Sequence, residues 1–223
     1  MGHVIAFASP KGGVGKSTAA VSVAAEFLAR GRRVLLVDAD PQRSAYAWSE
    51  AARSAGNPAP TTVAMGATMH QPGELDALVG QFDVVLIDAP PSQAQILRSA
   101  ILSADVAILP ATPSGFDLWA LADAIDIVRR AGAIKPEFQA AILVNRRDPR
   151  SKLDANVRES LGESGIPVLE SMLSNLVAYR EAILMGLGPS TYAPESKAGA
   201  EVRELVDELV SLIEKEEVVR AIA

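Results

Sequence analysis

Six short stretches of this chain are β-branched or apolar along most of their length: His3–Ala8, Arg33–Val37, Thr61–Met65, Asp83–Ile87, Asp105–Leu109 and Gln139–Asn145. In several of them apolar side chains occupy consecutive positions instead of alternate ones. A strand that is apolar on both sides must be covered on both faces, the situation of a parallel sheet between two layers of helices. Helix-length amphipathic segments separate these runs, at Ser17–Arg30, Ser44–Ala55, Gly73–Val79, Ser92–Leu102, Phe116–Ala131 and Leu153–Leu161. Two more follow at Leu176–Met185 and Ala198–Val219, with a further short strand candidate at Pro167–Leu169 and an irregular loop at Gly186–Pro194. Gly31 and Gly132 stand where helices stop. The alternation predicts an α/β fold: a doubly wound, mostly parallel sheet with helices on both faces, in one domain over residues 1–223 with C-terminal helices.

Composition narrows the chemistry. Aromatic residues make up 4% of the 223, so Ala, Val, Leu and Ile must fill the core. The absence of cysteine excludes disulfides, thiolate metal sites and cysteine-ligated iron–sulfur clusters. A formal charge of −6 argues against a wholly basic nucleic-acid binder and leaves room for a local basic patch. No apolar run reaches the roughly 18 residues of a membrane span. The first strand candidate begins at His3, from which neither a signal peptide nor an N-terminal helix-turn-helix domain is expected.

Between the first strand and the first helix lies Ala8-Ser9-Pro10-Lys11-Gly12-Gly13-Val14-Gly15-Lys16-Ser17-Thr18. Glycines at such a turn let backbone N–H groups converge on phosphate oxygens, and a helix N-terminus adds positive dipole. This is the P-loop pattern in its proper context. Lys16 is placed to reach the β- and γ-phosphates and the Ser17 hydroxyl to ligate Mg²⁺. A glycine-rich turn without a ligand is the competing reading, and Gly-Lys-Ser directly after a strand speaks against it. Two acidic motifs fall at strand ends, where an open α/β sheet gathers its ligands: Val37-Asp38-Ala39-Asp40-Pro41-Gln42 and Leu86-Ile87-Asp88-Ala89-Pro90-Pro91. Asp88 has the Walker B position, for holding Mg²⁺ directly or through water. Any single Asp here could instead cap a helix or form a turn, Asp38 above all.

The loop departs from the ordinary Walker pattern: Pro10 replaces its first glycine and Lys11 adds a second lysine. Lys11-Gly12-Gly13-Val14-Gly15-Lys16-Ser17 resembles the deviant Walker A box of the ParA/MinD group of partitioning ATPases. The resemblance implies that ATP·Mg²⁺ binds on residues Lys11 to Thr18, namely Lys11, Gly12, Gly13, Val14, Gly15, Lys16, Ser17 and Thr18. It implies that Lys11 crosses a dimer interface to the partner subunit's nucleotide, that Lys11, Lys16 and Asp40 serve hydrolysis, and that Asp40 positions the attacking water. The metal set is then Ser17, Asp38 and Asp88. Asn145-Arg146, ending the sixth strand candidate, matches where the family reads adenine; Asn145 as a simple loop cap is the alternative. Leu109-Pro110-Ala111-Thr112-Pro113-Ser114, with Phe116-Asp117, resembles a proline-containing segment near the nucleotide and the dimer interface of small plasmid-partition ATPases.

The resemblance covers nearly the whole chain, and missing features choose within the group. Iron–sulfur members need cysteine. Membrane-cycling MinD proteins end in a basic amphipathic helix, whereas this chain ends Glu214-Lys215-Glu216-Glu217-Val218-Val219-Arg220-Ala221-Ile222-Ala223, a tail that an anionic surface repels. A short ParA type remains: a cytoplasmic, nucleoid-associated ATPase. The resemblance implies that it forms an ATP-bound sandwich dimer, binds DNA without sequence preference, and hydrolyses ATP when a ParB-type or cargo-adaptor protein stimulates it. The candidate DNA surface is Arg146, Arg147, Arg150, Lys152 and Arg158, with Arg180, Lys197 and Arg203 as alternates. A charged, solvated helix entry is an equal reading of that cluster. Plasmid or chromosomal DNA, a carboxysome and a chemoreceptor cluster all remain open as cargo. A small-molecule P-loop enzyme, such as a dethiobiotin-synthetase-like ligase, is the reading from another class.

Overall fold

In the computed structural model, which describes residues 2–91, 93–113, 115–148 and 157–222 (without the side chains of 115–120 and 215–222), strands and helices alternate as the sequence implies. The strands are β1 (His3–Phe7), β2 (Val34–Asp38), β3 (Thr61–Ala64), β4 (Val84–Asp88), β5 (Val106–Ala111), β6 (Gln139–Arg147) and β7 (Val168–Ser174). The helices are α1 (Lys16–Ala29), α2 (Ser44–Ser54), α3 (Asp76–Val79), α4 (Ala94–Ser103), α5 (Gly115–Ile134), α6 (Val157–Gly162), α7 (Val177–Leu184), α8 (Pro189–Tyr192) and α9 (Lys197–Ile222). The strands form one seven-stranded sheet in the order β3-β2-β4-β1-β5-β6-β7, and each pair in it is parallel. Consecutive strands joined through helices give parallel neighbours, and β1 at the centre marks where the winding reverses.

The consecutive apolar residues find cover on both sides. Ile5 and Phe7 of β1, with Val84 and Leu86 of β4, join the core beneath α1, α2, α7 and α9. Val4 and Ala6, with Val85 and Ile87, point the other way, into the core beneath α4 and α5. Alternate residues of a strand face opposite sides, so two cores require two apolar faces. Helix α1 is buried on nearly every side because small side chains (Ala19, Ala20, Ala24, Ala25) let it wedge between the sheet and α8 and α9.

Two elements differ from expectation. Gly186–Pro194 contains the short helix α8, which starts on Pro189. β7 runs to Ser174 where Pro167–Leu169 was expected, because carboxylates of α9 satisfy its backbone: Glu208 accepts from the N–H groups of Glu170 (2.8 Å) and Ser171 (2.9 Å). β5 continues through Pro110, which usually ends a central strand. Ile108 directs its carbonyl to β1, accepting from Ala8 N at 2.9 Å, and Pro110 two residues on faces the same way. β1 ends at Phe7, so Pro110 lies past the last residue of its β1 neighbour.

Candidate functional site

β1 hands over to α1 through the glycine-rich turn at the C-terminal edge of the sheet. Gly15 takes the position before the first helical turn with φ of +86°, and a Cβ there would stand 2.5 Å from Asn145 Nδ2. Both facts require glycine. The N–H groups of the first turn of α1 have no intrahelical acceptor, which leaves them directed at the turn. From the end of β6, Asn145 Nδ2 donates to the Val14 carbonyl (2.8 Å) and Arg146 Nη1 to the Gly13 carbonyl (2.7 Å). Arg146 holds a left-handed backbone, φ 56°, with its N–H donating to Asn145 Oδ1 at 2.8 Å. Asn145 therefore braces the loop, whatever else it does. Lys16 is buried and its Nζ donates to the Lys11 carbonyl at 2.8 Å. Burial lowers the Lys16 pKa, and the nearby charges of Asp88 and Asp40 oppose that shift.

Above the loop opens a cavity of about 380 Å³. Gly13, Gly15, Lys16, Ser17 and Thr18 form one wall; Asp40, Pro91, Asn145 and Arg146 contribute to its rim. The opposite wall is Ser174, Asn175, Leu176, Tyr179 and Arg180, from the end of β7 and the start of α7. Sequence reading missed this wall and placed Arg180 among alternate DNA contacts. The available signal was positional: a polar pair, Ser174-Asn175, closes a strand on the ligand-gathering edge of the sheet.

Sheet pairing sets the carboxylates side by side. β4 lies between β1 and β2, with Asp88 in register with Phe7 on one side and Asp38 on the other. Asp38 is buried, and its carboxylate accepts from Tyr46 N (2.8 Å) and Asp40 N (3.1 Å), which pins the turn into α2. Burial raises its pKa, against those backbone donors. Asp40 lines the cavity, and its Oδ1 accepts from Gln42 N at 2.9 Å. Asp88 is different: both oxygens are buried without a hydrogen-bond partner. Burial pushes its carboxyl up to about 7, opposed by the nearby Ser17 hydroxyl and Lys16, with Asp38 and Asp40 adding to the rise. Buried, unpartnered carboxylate oxygens beside a serine hydroxyl suit a hard divalent cation. Among the described residues no group of three or more His, Asp or Glu could hold a metal by itself, so such a cation would complete its shell with oxygens of water or of a bound ligand.

The Asp88 shift carries a stability consequence. A carboxyl whose pKa rises on folding from 3.8 to about 7 binds its proton more tightly in the folded state. Its contribution is favourable below about pH 4 and is lost as pH climbs through 7. The ligand-free protein is expected to melt lower at pH 8 than at pH 4, and Asp88→Asn to raise the midpoint at pH 8 while changing it little at pH 4. The gain is on the order of 2–4 kcal/mol, read from denaturation curves of both proteins at both pH values.

Lys11 faces a second hollow on the outer side of the loop, about 520 Å³, shared with Gly12, Thr112, Pro113, Arg146 and Asp148. The proline-containing segment after β5 thus lies against the extra lysine; Ser114 and the side chains of Phe116 and Asp117 lie outside the described residues. Of the expected DNA surface, Arg150 and Lys152 also lie outside them. Arg147 ends β6, and Arg158 on α6 forms an ion pair with Glu170 of β7 through both guanidinium nitrogens.

A turn of this sequence joining β1 to α1, with paired acidic strand ends beside it, defines a P-loop site. Residues 5–189 match the CobQ/CobB/MinD/ParA nucleotide binding domain. The chain belongs to this family. It is 36% identical over 216 residues to the maintenance of carboxysome distribution protein A of Gloeobacter kilaueensis, covering 93% of this chain and 94% of that protein. It is 30% identical over 244 residues to the chromosome-partitioning ATPase Soj of Thermus thermophilus, covering 95% and 96%. Among solved structures, the ATP complex of a Cyanothece McdA variant superposes with a TM-score of 0.75 at 18% identity, covering 93% of this chain and 96% of that one. The sheet and the P-loop are those of ParA/MinD-type ATPases, a family in which nucleotide and Mg²⁺ are bound. Among the described residues no helix is long and apolar enough to cross a membrane.

Proposed function

We propose that this chain is a ParA-type, Mg²⁺-dependent ATPase whose ATP-bound form is a sandwich dimer and which positions a cargo along DNA. The observation that carries the reading is the division of labour between two lysines of one loop. Lys16 is buried in the cavity wall, while Lys11, half-buried, lines an adjoining hollow beside Thr112 and Pro113. In this reading Lys16 and the backbone of Gly12, Gly13, Val14, Gly15, Ser17 and Thr18 hold the phosphates. Ser17 and Asp88 hold Mg²⁺, which when bound neutralises phosphate charge. Asp38, already committed to two backbone N–H groups, supports the metal shell by fixing the Asp40 turn. Asp40 orients the attacking water. Asn145 and Arg146 brace the loop and border the base. Lys11 completes the partner subunit's site.

A protein cargo is favoured over a plasmid by the near full-length relative named for carboxysome distribution. An adaptor on that cargo, or a ParB-type protein, is the activator in this reading. Arg147 and Arg150 are the candidates for DNA contact in this reading; Arg158 forms an ion pair with Glu170.

Filter binding of duplex DNA at several salt concentrations tests the track. Binding is expected only with ATP and without dependence on base sequence, because one subunit carries a net charge of −6 and only a patch doubled by dimerisation can hold phosphate. Each phosphate neutralised contributes roughly −0.9 to the slope of log affinity against log salt. Arg147→Glu combined with Arg150→Glu is expected to abolish binding. Wild-type protein that ignores DNA at low salt in the presence of ATP would sink this reading and favour a small-molecule P-loop enzyme.

A further inference from the structure

Glu201, on α9, is buried to 7% exposure and distant in sequence from the P-loop and both acidic motifs. Its carboxylate receives Ser174 N at 2.9 Å and Tyr179 Oη at 3.0 Å on Oε2, and Ser174 Oγ at 2.5 Å on Oε1. Lys197 Nζ, one helical turn earlier, stands 3.6 Å from Oε1. A carboxylate so buried is tolerated only where donors surround it. These donors are not scattered: Ser174 ends β7, Tyr179 lies in the first turn of α7, and both line the cavity wall opposite the P-loop. Burial and the adjacent Glu201 carboxylate push the Tyr179 phenol upward, so its hydroxyl stays a donor.

We propose that Glu201 is a positioning residue for the nucleotide, clamping the end of β7 to α7 and so fixing the wall against which the base and ribose pack. The proposal rests on the nucleotide reading of the cavity given above. It follows from the way the two walls are built. The phosphate wall is set by β1, α1 and braces from β6. The opposite wall has its polar backbone tied to α9 through this one carboxylate: Ser174 N, Ser174 Oγ and the Tyr179 hydroxyl all converge on it. Without Glu201 the Ser174 N–H and the Tyr179 hydroxyl become unpaired donors next to the cavity, which they can satisfy only by moving. Glutamine has the shape to replace it, its amide oxygen keeping Ser174 N and Tyr179 and its amino group donating to Ser174 Oγ.

Calorimetric titration of the full chain with ADP and with inorganic tripolyphosphate separates the two walls. Glu201→Ala is expected to weaken ADP roughly tenfold or more and to leave tripolyphosphate within about twofold. Tyr179→Phe, which keeps the ring and removes the hydroxyl, is expected to shift ADP the same way by a smaller factor, and Glu201→Gln to stay near wild type. Unchanged ADP affinity in both Glu201→Ala and Tyr179→Phe overturns the clamp, as does equal weakening of ADP and tripolyphosphate, which marks a general loss of structure. If Glu201→Ala does not fold, Tyr179→Phe alone decides. Wild-type protein that binds no ADP overturns the nucleotide reading and this inference with it, whereas wild-type binding with unaffected variants overturns the clamp only.

Discussion

Lys16→Ala is expected to lose most of its affinity for ATP, while Lys11→Ala keeps that affinity and loses the ATP-dependent dimer. The two lysines are five residues apart in one loop, and their surroundings set them apart. Lys16 lies buried in the cavity wall, with one donor spent on the Lys11 carbonyl and its charge near Asp88 and Asp40. A phosphate chain entering the cavity supplies a better acceptor than that carbonyl, and a charged contact in a desolvated site is worth about 2–5 kcal/mol on truncation. That corresponds to a loss of roughly thirtyfold to a few thousandfold. Lys11 lines the hollow beside Thr112 and Pro113 and not the nucleotide cavity, so in this reading its removal leaves the affinity of its own subunit's site largely intact. Sedimentation with and without ATP reads the dimer, and nucleotide titration reads the affinity. A Lys11→Ala protein that still dimerises with ATP removes the interface role of this residue; equal losses of affinity in both variants place Lys11 in its own subunit's site.

Asp40→Ala is expected to bind ATP and dimerise, yet to turn over on the order of a hundredfold more slowly, the scale of losing a group that orients and deprotonates water. The carboxylate has a structural duty as well, because its Oδ1 accepts from Gln42 N in the turn before α2. Asp40→Asn separates the duties: the amide oxygen retains the turn acceptor, and the charge is lost. Single-turnover hydrolysis is expected to fall in both variants alike. Near wild-type turnover in Asp40→Asn would assign the residue to turn geometry instead of chemistry. Asp88→Asn, by contrast, is expected to remove the Mg²⁺ dependence of nucleotide affinity.

Much of this was legible before the structure. Apolar strand runs announced a sheet covered on both faces, because a continuous apolar run has no other stable setting. Strand, Gly-Lys-Ser turn and helix are contiguous, so a P-loop is written in local sequence. The acidic strand ends followed from their place after apolar runs, whereas the contact of Thr112 and Pro113 with the hollow that Lys11 lines came only with the structure. The family follows from the same residues, since the second lysine sits inside a contiguous box.

What the sequence by itself determined is therefore what depends on neighbours a few residues away: periodicity, turns, and helix and strand identity. Pairings across long separations belong to the tertiary structure. Asp38 and Asp88 stand together only because β4 inserts between β2 and β1, and nothing in either motif encodes that order. Asp38 had a metal role and a capping role open to it, and the fold brings the N–H groups of Tyr46 and Asp40 to its carboxylate. Asn145, base reader or loop cap on paper, donates to the carbonyl of Val14, which lies 131 residues away. β7 looked too short because Glu170, Ser171 and Ser174 interrupt its apolar pattern, and α9 restores it by bringing Glu208 and Glu201 to their N–H groups. The same helix builds the second wall of the cavity. A polar strand end becomes a binding wall only when a distant carboxylate satisfies its donors, and that match is made by packing, not by local sequence.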